Sequence, residues 1–229
     1  MAVKKQALYT LGALLALACA SPAMAQFYYS GQPYRPLHWQ IEGGYSATVG
    51  TTSDYLNGGW TIGGGLTWYP SPRAPLALRV DLSYSEYDAT HNLLYQNQTA
   101  LQTRIDSGTG RTWGGDVDGQ YDFALAPGVN GYLIAGVGTY RREIALYQTV
   151  LGGGIFCDPW WGFCGPAYFP AYATVAETTS AWQFAWNAGV GINFPLGNGM
   201  SWFVDARYLR IGPADQKGEF IPVRIGLRF

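Results

Sequence analysis

Ten charged residues sit on alternating stretches whose other phase is apolar. They are Glu42, Arg79, Asp81, Asp116, Asp118, Asp122, Asp205, Arg207, Arg224 and Arg228. Acids and bases gathered on one phase can do two things. They can neutralise one another as a salt-bridged interior, or they can line a narrow path for ions. Both uses need the same side chains, so the charges alone do not choose.

A second constellation runs from Phe156 to Tyr172. Cys157 and Cys164 are an even pair in a chain with an export signal, which reads as a disulfide. The bridge would close a small external loop carrying Trp160, Trp161 and Phe163, with Tyr168 just beyond. Aromatics held on a stiff loop make a candidate binding surface. The competing reading packs them on the loop itself or dips them into a lipid interface. Two thiols without a nearby His are a poor metal set. No metal, cofactor or catalytic residue is assigned.

The elements that must position these residues follow from the chain ends inward. Lys4 and Lys5, the apolar run Leu8 to Ala20 and the small-residue site Ala23-Met24-Ala25 form a secretory signal, removed after Ala25. Cys19 raises a lipoprotein alternative, but Ala16 stands where that motif wants Leu. The signal takes two of the chain's 14 basic residues and none of its 15 acids, so a formal charge of −3 remains. That is too mild to imply a nucleic-acid partner. Beyond the signal no apolar run is long enough for a membrane helix. With 31 glycines and 16% aromatics, the chain reads as one all-β domain, residues 38–229, after a lead-in over 26–37.

Eight alternating strands can be counted. The last is the plainest: Ile221, Val223, Ile225, Leu227 and Phe229 share one phase, against Arg224 and Arg228. In the others the apolar phase holds Trp39, Trp60, Trp68, Trp113, Trp182, Trp186 and Trp202. The strand over 132–147 is ambiguous. Leu133, Ala135 and Val137 could face outward, but Arg141, Arg142 and Glu143 charge both phases, so it is expected to have left the hydrocarbon by then. Short connections alternate with longer ones, and the long polar segment 89–110 and segment 149–180 are expected to be external loops. A soluble barrel would have to show water the whole tryptophan-bearing array. A membrane barrel turns it to lipid and its charges to the lumen. An antiparallel eight-stranded transmembrane up-and-down barrel is therefore the expected fold.

The pattern resembles the eight-stranded outer-membrane barrels that include the transmembrane domain of outer membrane protein A and the small barrels related to outer membrane protein X. The likeness covers Trp39 to Phe229 and rests on the strand pattern, on Tyr132-Leu-Ile-Ala-Gly-Val-Gly138 and Ala188-Gly-Val-Gly-Ile192, and on the terminal aromatic. The resemblance implies the outer membrane of a Gram-negative bacterium, contact with its lipid and lipopolysaccharide, and a monomer. It also implies that Ile221, Val223, Ile225, Leu227 and Phe229 are read by the barrel assembly machinery. The peptidoglycan-binding domain that follows the barrel in outer membrane protein A is not expected. Some barrels of this size deacylate lipid A with a His and a Ser two positions apart. Here Gln40 and Leu93 stand two places after His38 and His91, so an enzyme is not expected. The expected role is structural, or interaction at the cell surface with a host or surface ligand. The lumen would be plugged by a polar salt-bridge network, and the long loops would be the contact surface. The alternative is a narrow or transient pore for ions or small solutes.

Overall fold

The computed structural model describes residues 35–229 apart from 73, 159–162, 180–181, 198 and 214–216, and their side chains apart from 150–172, 177–179 and 197. The signal peptide and nearly all of the lead-in lie outside these residues. Among these residues nine strands, one α-helix and one short 3-10 helix follow in order: β1 (Leu37–Thr48), the 3-10 helix (Gly50–Asp54), β2 (Leu56–Trp68), β3 (Leu76–Ala89), α1 (His91–Leu101), β4 (Ser107–Ala126), β5 (Val129–Asp158), β6 (Phe163–Thr179), β7 (Gln183–Gly197), β8 (Met200–Ile211) and β9 (Gly218–Arg228).

Period-two alternation makes each wall strand two-faced, and antiparallel pairing joins the faces into one inner and one outer surface. β1 to β4 pair in sequence, β4 pairs with β5, β5 with β7, β7 with β8 and β8 with β9. β9 returns to β1, so the ring of eight is closed. Trp39 and Phe229 finish the seam by exchanging backbone bonds of 2.8 and 2.9 Å. Closure leaves no open edge within the ring, the condition for a sheet in hydrocarbon. No helix among the described residues is long and apolar enough to cross a membrane.

The outer surface carries Trp39, Ile41, Trp60, Ile62, Leu82, Val117, Phe184, Val190 and Ile225, each at least 48% exposed. Trp113 and Trp182 touch edge-on at 4.6 Å, and Phe194 stacks on Trp202 at 4.3 Å. These pairs lie on the same outward face. The inner surface is polar. Its ten charged residues named above are all at most 5% exposed.

The two expected external loops are built differently. In 89–110 a helix, α1, stands from His91 to Leu101, and β4 already begins at Ser107. The hydroxyl of Thr90 caps α1 by accepting from the Leu93 N–H at 3.4 Å, and Gln102 stops it in the left-handed region at φ 50°. Asn, Gln and Thr make the segment polar without breaking a helix, so polarity alone read as loop. Segment 149–180 is mostly a β-ribbon. β5 continues past the ring to Asp158 and folds back as β6. Pro166 and Pro170 stand within β6, which is the edge strand of the sheet. A missing N–H is tolerated there.

β5 itself is shared. Its lower part pairs with β4 and β7, and its upper part with β6. Its phase is now fixed: Leu133 and Val137 are exposed, and Tyr132, Ile134 and Tyr140 are buried.

Candidate functional site: the barrel lumen

An eight-stranded ring leaves room only for side chains. Large inward residues fit because glycine faces them across the ladder. Asp118 lies opposite Gly136, Asp116 opposite Gly138, Asp205 opposite Gly191, and Arg207 opposite Gly189. A Cβ at Gly136 would run into the Asp118 carboxylate. The high glycine content thus has a purpose at these rungs: it makes space for charge.

The interior is layered. At its centre, Arg79 meets Glu42 and Asp81 at 2.7 Å each and Asp205 at 3.3 Å. Arg207 meets Asp118 at 2.8 Å, Asp81 at 2.9 Å, Asp205 at 3.0 Å and Asp116 at 3.6 Å. Arg224 joins Glu42 and, at 3.2 Å, Asp205. Asp81 and Asp205 are each gripped by more than one guanidinium, so the ion pairs interlock. Such pairing is what burial of charge requires.

Towards the end where β1 begins and β9 ends, Arg228 donates to Gln40 Oε1 at 3.2 Å and to the Tyr69 hydroxyl at 3.3 Å. Gln120 donates to Asp122 at 2.7 Å and to Tyr69 at 3.2 Å. Tyr132, Ile134 and Phe203 form a small apolar cluster there. Arg79 and Arg228 lie 5.1 and 5.2 Å from the Phe203 ring centre, a cation–π arrangement.

Towards the other end comes a hydroxyl-rich layer of Ser46, Thr61, Ser83 and Ser85. There the Tyr140 hydroxyl bonds Asp116, and Tyr87 pairs with Ser46 at 2.9 Å. Beyond it, Leu56, Tyr87, Tyr140, Ala185, Leu209, Ile211 and Phe220 close into an apolar cluster, with Leu93 of α1 packed against it. Tyr87 and Phe220 rings meet at 4.9 Å. This apolar cap was missed in the sequence. The available signal was apolar residues appearing on the polar phase at strand ends: Tyr87, Leu209, Ile211 and Phe220.

The β5–β6 ribbon is tied down at its base. Asp106 accepts the Thr149 backbone N–H at 2.8 Å and Arg104 Nε at 2.6 Å. Those two bonds hold its carboxyl below the usual carboxylate range. Higher up, Cys157 and Cys164 are direct partners across the ladder. Of the candidate binding aromatics, Trp160 and Trp161 lie outside the described residues. Phe163 and Tyr168 are on β6, opposite Asp158 and Gly153. The ribbon therefore sets Phe163, next to Cys164, at the tip and Tyr168 five residues down from it.

The remaining sequence candidates are scattered. Val223, Ile225, Leu227 and Phe229 point outward, with Ile221 half-buried. His38 lies edge-on to Tyr69 at 5.7 Å near the start of β1. His91 opens α1 at the far end. The two histidines share no site.

Residues 11–229 match the family model described as outer membrane protein beta-barrel domain. No curated protein matches the chain. Among solved structures, Neisserial surface protein A is similar, with 13% identity and a TM-score of 0.53 over 86% of this chain and 98% of that one. The N-terminal barrel of Pseudomonas aeruginosa OprF has 14% identity and a TM-score of 0.40 over 84% of this chain and 96% of its own. The attachment invasion locus protein Ail of Yersinia pestis has 12% identity and a TM-score of 0.42 over 85% of this chain and 100% of its own. The match to the family model spans nearly the whole chain and every strand of the ring, so the protein belongs to the outer membrane protein β-barrel domain family.

Proposed function

We propose that the protein is a closed, non-conducting barrel of the outer membrane, with a structural or surface-interaction role carried by its external face. Two layers of the lumen support this reading: interlocked ion pairs gather at its centre, and the apolar cluster around Tyr87, Ile211 and Phe220 packs at the end where α1 stands. An ion would have to displace buried charges and then cross a dry constriction. On this reading the barrel works as a monomer, meets lipid and lipopolysaccharide along its wall, and is inserted by the barrel assembly machinery. The contact surface is α1, where Tyr95 is 72% exposed, together with the β5–β6 ribbon. No catalytic role is assigned.

Conductance of the purified protein in planar bilayers tests this. Silence across a wide voltage range is expected. Steady unitary channels would instead assign the protein to transport.

A further inference from the structure

We propose that the outer wall of the barrel binds a phosphorylated lipid of the outer leaflet, the lipid A of lipopolysaccharide, between Arg141 on β5 and Arg210 on β8. The proposal deepens the reading that the wall meets lipopolysaccharide, and rests on it. Both arginines point away from the lumen. Arg141 keeps the phase of the exposed Leu133 and Val137, and Tyr140 before it is buried. Arg210 alternates with the buried Leu209 and Ile211. Both stand near the end of the ring where α1 lies. Arg141 pairs with Trp113 in the first part of β4, and Arg210 is the last residue but one of β8.

These two cations are left over. Each is half-buried, and neither has a hydrogen bond or ion pair among the described residues. The Nε atom of each is buried without a partner. Two other cations near this rim are matched: Arg111 meets Glu86 at 3.2 Å, and Lys217 meets Glu219 at 3.0 Å. Glu219 lies across the ladder from Arg210, but it already takes Lys217 and, at 2.6 Å, the Tyr208 hydroxyl. β7 runs between the two arginine-bearing strands, and its outward aromatics fill the gap. Trp186 is the ladder partner of Arg210. Trp182 touches Trp113, the ladder partner of Arg141. Phe184, between the two tryptophans, is 64% exposed.

Tryptophans on the lipid-facing wall mark the boundary between hydrocarbon and headgroups. An arginine among them sits at the height of lipid phosphates, and its planar fork takes a phosphate by two parallel bonds. A guanidinium half-sunk among aromatics is costly without an anion. Lipid A offers both complements, phosphate for the arginines and acyl chains for Phe184 and its flanking tryptophans. A free phosphate ion offers only the first.

The test uses the full chain refolded in detergent with chelator present, so that no divalent ion bridges acid to phosphate. Native mass spectrometry counts the bisphosphorylated lipid A that stays bound. One lipid A per barrel is expected, with phosphatidylglycerol and inorganic phosphate held at least tenfold more weakly. Arg141→Gln combined with Arg210→Gln should weaken lipid A binding at least tenfold. Arg104→Gln, on the exposed segment before β4, should leave it unchanged. The shift in gel migration on boiling shows that each variant is folded. If the double change blocks folding, the single changes carry the test, each expected to weaken binding at least threefold. The proposal is overturned if the wild type holds no lipid A, or if phosphatidylglycerol or inorganic phosphate binds as tightly. It is also overturned if binding needs added magnesium, or if the folded variants bind as the wild type does. Conductance is a separate readout. A silent barrel that ignores lipid A sinks this proposal alone, and a conducting barrel that holds lipid A sinks the closed-barrel reading alone.

Discussion

Arg79 has no exposed side-chain surface and holds three carboxylates at once. Arg104, by contrast, pairs with Asp106 while its side chain stays 75% exposed. The two arginines should behave oppositely. Arg79→Ala strands Glu42, Asp81 and Asp205 in a dry interior and should cost about 3–5 kcal/mol. Arg104→Ala should cost nothing measurable, because exposed pairs are screened and entropically taxed. Reversible unfolding into lipid vesicles, followed by tryptophan fluorescence, measures both. Equal losses would show that the network around Arg79 is not the buried structure described. At this scale the inward charges were legible, because a two-residue period needs only one strand to read. The partners were not. Arg207 and Asp81 lie 126 positions apart, and no local pattern says that they touch. Tyr87 and Phe220 were separable from the lipid-facing aromatics only by falling on the polar phase, a sign that one residue at a strand end carries weakly.

Among the elements, the β5–β6 ribbon departs most from expectation. Residues 149–180 were expected to form a loop, but cross-strand pairing, which needs both arms, made them mostly sheet. α1 escaped notice for the reason already given, that its polar residues carry no breaker. Above Tyr147, opposite the first residue of β4, the ribbon runs on for about 35 Å at the usual rise per residue. Cys157 and Cys164 face each other near its tip. A disulfide closing so short a loop is worth about 2–3 kcal/mol to the ribbon by chain entropy. The ring does not depend on it. The double change Cys157→Ser and Cys164→Ser should therefore insert normally but be cut faster by external protease around Trp160-Trp161. Protease digestion of intact cells compares the two. Equal cleavage rates would show the bridge to be absent or irrelevant, and failure to reach the membrane would make the ribbon part of the folding core.

The whole molecule is inside-out, with charge within and tryptophan without. The architecture was legible for that reason, since the same alternation repeated in every strand leaves one way to close the sheet. Its family places it in the outer membrane of a Gram-negative bacterium. Val190 is 56% exposed and sits mid-strand, opposite Leu133 and Ala206. Val190→Arg should cost about 2–4 kcal/mol if it lies at the bilayer midplane. Val190→Leu should be close to neutral. Unfolding titrations in vesicles, run in parallel, read the difference, and a neutral arginine would turn the barrel's faces around.

The sharing of β5 has a mechanical consequence. One unbroken strand runs from the β4–β5 turn, through the ring, to the tip of the ribbon. A tug on that tip would pull along the strand axis. To yield, β5 would have to slide past β4 and β7 all at once, shearing many rungs together, rather than peel from them one rung at a time. Any load on the tip is borne by the barrel wall itself.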